Sequence, residues 1–210
     1  MMMRRLCGRA NSSNVMKIVW LLEELGLPYE RLDVGGPFGN TDTPEYLAMN
    51  PNGKVPTLEQ DDGFILWESN AILRFLCAAT APDSPMWPSD LKARANIDRW
   101  MDWQQTTVDA PQRVLLLRLV RTPPEKRDPK VIDAAAAELR RFCSILDRAL
   151  SRTPYVAGND FTLADIALGV HVHRWFAYPV DRPDQPHLRA WYDRLLSRPV
   201  YRHHVAIPVA

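Results

Sequence analysis

Residues Asn50–Phe75 read NPNGKVPTLEQDDGFILWESNAILRF. Asn52-Gly53 marks a turn, and Thr57-Leu58-Glu59-Gln60 and Phe64-Ile65-Leu66-Trp67 are short runs with strand character. Asp61-Asp62-Gly63 between them is turn chemistry, which predicts a β-hairpin. Pro56 opens the first strand, where a missing N–H is tolerated and an X–Pro bond can be cis. Ser69 stands where a helix N-cap is wanted, ahead of the helical spacing Ile72, Phe75, Leu76. A helix start beside a turn offers unpaired N–H groups and the positive end of a dipole, which suits a carboxylate.

Val55-Pro56 ahead of the hairpin and Glu68-Ser69 behind it together resemble the glutathione site of the glutathione transferase family. The resemblance implies a cis proline at Pro56, with the Val55 backbone free to pair with the cysteinyl part of glutathione. It implies that Glu68 meets the γ-glutamyl ammonium and that Ser69 binds the neighbouring carboxylate. Lys54 falls where the family often reaches the glycyl carboxylate; the plainer reading is a solvated surface lysine. Arg9 and Asn52 are secondary candidates. The motifs are specific in combination and weak singly.

Working outward, Met3 to Gly8 reads as a first strand, followed by the polar break Gly8–Ser13 and a helix from about Asn14 to Leu25. Val15, Ile18, Val19, Leu21, Leu22 and Leu25 carry the helical period, and Gly26 is a stop with Pro28 just beyond. Tyr29 to Val34 is a second strand, so strand, helix and strand form a βαβ unit with parallel strands. Thr43 to Leu47 starts a short helix. With the hairpin and a helix over Ser69–Ala79, the order is βαβαββα, the α/β thioredoxin-like arrangement the resemblance also implies.

The Pro-rich stretch TAPDSPMWPS, Thr80 to Ser89, is the expected linker. Beyond it only helical patterns occur. They run from Leu91 to about Val120, as one long helix or two abutting ones with Pro111 as a kink point, then Pro129 to Leu150, Thr162 to Phe176 and Pro186 to Ser197. The division is therefore 1–79 as a thioredoxin-like glutathione-binding domain, 80–89 as linker and 90–210 as an all-helical domain carrying the second-substrate site.

The 210 residues are 46% hydrophobic and 24% charged, as in an ordinary soluble protein that can bury a real core. A formal charge of +1 argues against nucleic acid or an anionic membrane as a partner. The start MMMRRLCGRA has no apolar run long enough for a signal peptide, and no stretch approaches a membrane span. Cys7, Cys77 and Cys143, odd in number and far apart, fit reduced thiols in a cytoplasm.

A glutathione transferase must hold the glutathione thiol as a thiolate. A free thiol has a pKa of about 8.5, and each unit of depression needs about 1.4 kcal/mol of preferential stabilisation. Donors aimed at sulfur and a helix N-terminus can supply it. Counting back from Gly26, the resemblance puts Ser12 at the active position of the Ser-type and Cys-type classes, a bacterial-type, Ser-like site. Asn11, Ser13 and Asn14 are alternatives, and all of them could instead simply cap the helix. The lack of a Tyr here argues against the Tyr-type classes. Cys7 lies within the predicted strand and reads as a small buried hydrophobe.

For the second substrate the resemblance implicates Trp103, Thr107 and Arg113, with Trp100, Gln104, Tyr178 and Tyr201 as further candidates. Thr162-Leu163-Ala164-Asp165 is a capping box, so Asp165 reads as a folding residue. His171 and His173 fall on different helix faces, and His203-His204 lack a partner at ligand spacing, so no metal is expected. The reading is a cytoplasmic homodimer with a role in detoxification. It takes glutathione as co-substrate and transfers it to small hydrophobic electrophiles. Alternatives are a glutathione-dependent isomerase, dehalogenase or peroxidase on the same scaffold, or a non-catalytic module that binds glutathione or a protein.

Overall fold

A computed structural model describes residues 3–210; residues 1 and 2, within the first expected domain, lie outside it. The chain divides into two compact units, one ending at Pro82 and the other running Asp83–Ala210. The first unit holds β1 (Arg4–Cys7), α1 (Ser13–Glu24), β2 (Tyr29–Leu32), α2 (Pro44–Met49), β3 (Thr57–Glu59), β4 (Ile65–Trp67) and α3 (Ser69–Thr80). The sheet order is β2-β1-β3-β4, with β1 and β2 parallel and β3 antiparallel to both its neighbours. This is the expected βαβαββα arrangement.

α1 forms because its apolar residues recur at helical spacing, and Val15, Ile18, Trp20, Leu21 and Leu22 are fully buried. Burial of each such aliphatic side chain contributes about 1.5–3 kcal/mol. The helix stops as anticipated: Gly26 adopts φ 62°, its N–H reaches Glu23, and the Leu27 N–H reaches Leu22 at 2.9 Å. Those two bonds satisfy carbonyls the helix end would otherwise leave unpaired. α1 packs against α3, and α3 also packs against β4.

The second unit is helical: α4 (Leu91–Trp103), α5 (Asp109–Leu115), α6 (Pro129–Leu150), α7 (Leu163–Ala177), α8 (Pro186–Leu196) and α9 (Pro199–His204). Of the expected linker, Thr80 ends α3. Trp87 is buried, and the Met86 carbonyl accepts from Leu163 N at 3.1 Å. The expected kink at Pro111 takes another form. Gln104–Val108 is a widened π-helical turn just before α5, and a second such stretch covers Leu116–Arg121. Pro111 lacks an N–H and crowds the carbonyl four residues back, and a widened turn absorbs that crowding without breaking the helix.

Asp165 anchors this unit. Its two carboxylate oxygens accept from Thr162 N, Thr162 Oγ1, Val156 N and Trp191 Nε1, all at 2.8–3.0 Å. Among the described residues, no helix is long and apolar enough to cross a membrane.

Candidate active site

The sheet register brings three loops to one end of the first unit. Cys7 pairs with Thr57, and Thr57 pairs with Trp67. The chain therefore leaves that row as Gly8–Ser12 from β1, arrives as Val55-Pro56 into β3, and departs as Glu68-Ser69 from β4. The motifs that stood apart in sequence thus share one edge. The Val55–Pro56 peptide is cis.

A buried polar network sets the position of the proline loop. Tyr46 Oη donates to the Lys54 carbonyl at 2.7 Å, Asn50 Nδ2 donates to the same carbonyl at 2.8 Å, and both side chains reach Thr57 Oγ1. Asn50 Oδ1 also accepts from Asn52 N, closing the turn at 50–53. Burial raises the Tyr46 phenol pKa, keeping it a neutral donor. Sequence reasoning missed Tyr46 and Asn50. Their signal was present as a short helix ending in Asn50-Pro51, but their partners lie too far along the chain to be inferred. The Lys54 ammonium is exposed.

Gly8 allows the close approach of the first loop. A Cβ there would lie 2.4 Å from Val15 Cγ2 and 3.2 Å from Val55 Cβ. Ser12 is the N-cap of α1 by backbone geometry and is 8% exposed, yet its hydroxyl makes no capping bond. The N-terminus of α1 also carries no acidic residue in its first turn, so its positive dipole end is not offset locally. Asn11, Ser13 and Asn14 are half-buried around it.

Ser69 departs from expectation. The helix cap is Glu68, at φ 71°, and Ser69 is the first helical residue. Its Oγ crosses to α1 and donates to Asn14 Oδ1 at 3.2 Å. A non-glycine residue in the left-handed region is held there by its surroundings, a feature that clusters at ligand sites. One helical turn past Asn14, the buried Lys17 Nζ donates to Asn70 Oδ1 at 3.1 Å. Cys7 is a buried thiol whose pKa burial raises, the opposite of an activated nucleophile.

In the second unit, Trp103 sits edge-on to Trp100 and to Phe142, with ring centroids 5.3 and 5.7 Å away. Thr107 is half-buried within the first π-helical turn, and Arg113 is exposed on α5. Gln104 and Tyr201 prove to be core residues. Gln104 Nε2 pairs with His171 Nε2 at 2.9 Å, and Tyr201 Oη donates to the Gly169 carbonyl at 2.8 Å. Tyr178 is also buried. Among the described residues, no three His, Cys, Asp or Glu side chains cluster so as to hold a metal ion.

The model of the glutathione S-transferase N-terminal domain matches residues 11–79, and that of the C-terminal domain matches residues 129–194. Glutathione S-transferase GstB of Escherichia coli strain K12 is 42% identical over 206 residues, spanning 98% of this chain and 99% of that protein. Elongation factor 1-gamma 1 of Oryza sativa is 34% identical over 76% of this chain but only 38% of its own length. The theta class glutathione S-transferase of Xanthomonas axonopodis pv. citri, solved with glutathione bound, superimposes with a TM-score of 0.94. It is 45% identical and is covered completely on both sides. The chain belongs to the glutathione S-transferase family.

Proposed function

We propose that this protein conjugates the thiolate of glutathione to small hydrophobic electrophiles. The observation that carries the reading is the uncommitted cap hydroxyl of Ser12, on the sheet edge that also presents Val55 and Ser69. One hydrogen bond to a charged group contributes about 1.5–3 kcal/mol, and a helix N-terminus adds about 0.3–1 kcal/mol. Together these depress a thiol pKa by roughly one to three units at about 1.4 kcal/mol each, enough to populate the thiolate at neutral pH. Catalysis then consists of thiolate formation and of holding two reactants together.

In this reading the Val55 backbone, beside Pro56, pairs with the cysteinyl unit. Glu68 meets the γ-glutamyl ammonium, Ser69 its carboxylate, and Lys54 the glycyl carboxylate. Trp103, Thr107 and Arg113 line the second-substrate site. The protein is a cytoplasmic homodimer, and the exposed rings of Phe64 and Trp67 on the hairpin are apolar surface that a second copy would cover.

The match to a protein named as an elongation factor and not as a transferase favours one second reading, a module that binds glutathione or a protein without turning glutathione over. Following the ultraviolet absorption of the glutathione thiolate, titrated with protein across neutral pH, separates the two. Transfer chemistry requires a thiolate band well below pH 8.5, lost in Ser12→Ala and kept in Asn11→Ala and Ser13→Ala. Binding without the band supports the carrier, and no binding sinks both glutathione readings.

A further inference from the structure

We propose that Asn14 is a positioning residue for the γ-glutamyl carboxylate, acting through a reversible amide. The inference rests on the reading of Ser69 as the carboxylate's partner. A serine hydroxyl has one proton, and here it is directed at Asn14 Oδ1, 3.2 Å away. That arrangement turns the lone pairs of Ser69 toward an incoming carboxylate, which is itself only an acceptor. For Ser69 to bind the carboxylate, its proton must swing outward. Asn14 Oδ1 would then face a bare hydroxyl oxygen.

A half-turn of the Asn14 amide removes that conflict by presenting Nδ2–H to Ser69 Oγ. The hydroxyl then accepts from Asn14 and donates to the ligand. The pairing of Lys17 with Asn70 one turn away holds α1 against α3, so the change is made by the amide and not by helix movement. An amide is the side chain that serves both states. Aspartate, of the same shape, keeps the Ser69 proton and adds a negative charge beside the ligand's own.

The test compares glutathione with an analogue carrying a carboxamide in place of the γ-glutamyl carboxylate, using binding and KM as readouts. Asn14→Asp is expected to weaken glutathione about tenfold or more while leaving the carboxamide analogue unchanged, because the analogue can donate. Asn14→Ala, which frees the hydroxyl to rotate, is expected to lose only a few-fold and to keep the preference for the carboxylate. Thermal melts of both variants identify loss of fold, and Asn14→Ala carries the test if Asn14→Asp does not fold. Equal loss for both ligands in Asn14→Asp, a changed preference in Asn14→Ala, or a change confined to kcat overturns the inference. Ser69→Ala locates any failure. If it abolishes the carboxylate preference while Asn14→Asp does not alter it, the Asn14 role alone falls. If Ser69→Ala keeps that preference, the carboxylate reading of Ser69 falls, and this inference with it.

Discussion

Lys17 Nζ donates to Asn70 Oδ1 across 3.1 Å, with both side chains buried between α1 and α3. A lysine on the buried face of a helix needs acceptors, because desolvating an ammonium is expensive. The pair holds the two helix starts that frame the candidate site. Asn70→Ala is expected to destabilise the protein by about 1.5–3 kcal/mol, the range for a hydrogen bond to a charged group. Urea denaturation measures it, and an unchanged midpoint would refute the role.

Gly8→Ala tests the close approach of the first loop. The added methyl would lie 2.4 Å from Val15 Cγ2, and the backbone there has φ 154°. Overpacking of this kind typically destabilises by about 1–3 kcal/mol. Val55, at 3.2 Å, is the other neighbour that must yield. Glutathione affinity is therefore expected to fall together with the melting temperature, a coupling that calorimetry reads on one sample.

Asp165→Ala removes one acceptor group and leaves Val156 N, Trp191 Nε1 and Thr162 without it. Orphaned buried donors lose about 1–3 kcal/mol each, and the cap itself contributes about 1 kcal/mol. The expected loss is on the order of 3 kcal/mol or more, visible as a large drop in the urea midpoint. Asp165→Asn, which keeps one acceptor oxygen, is expected to recover part of it.

His173 sets a pH dependence. It joins Tyr192 Oη at 2.9 Å and the Ile207 carbonyl at 2.8 Å; since a carbonyl only accepts, Nε2 carries the proton in the neutral ring. Burial lowers its pKa from 6.5, the Ile207 carbonyl opposes that, and the Arg174 charge adds to the lowering. The unfolded chain thus binds a proton first. The contribution is fully present above about pH 6.5 and is lost as pH falls from there toward the depressed native value. Melting temperatures measured down from pH 7 should decline through that window. His173→Gln, which retains a donor for Ile207, should flatten the decline.

Most of the fold was legible from local chemistry. Pro56, the Asp61-Asp62-Gly63 turn and Gly26 punctuate the chain within a few residues of where they act, and α6 begins and ends where its periodicity does. The π-helical turns at Gln104–Val108 and Leu116–Arg121 carry no such signal: the first lies where the helix accommodates Pro111, and no local residue marks the second. Gln104 illustrates the limit of periodicity. It lies on a helix expected to supply the second-substrate site, but its amide pairs with His171, 67 residues away.

The order of elements, the hairpin, the helix stops and the Asp165 box follow from local sequence, because each depends on backbone preferences and bonds spanning a few residues. Tertiary structure decided that Ser69 bonds to Asn14 instead of capping its own helix, that Tyr46 and Asn50 grip the Lys54 carbonyl, and that three separate loops leave one sheet edge. Those outcomes require groups distant along the chain to meet. What brings them together is the packing of α1 against α3 and of α3 against β4, together with a sheet in which the fully buried Leu6 and Leu58 pair.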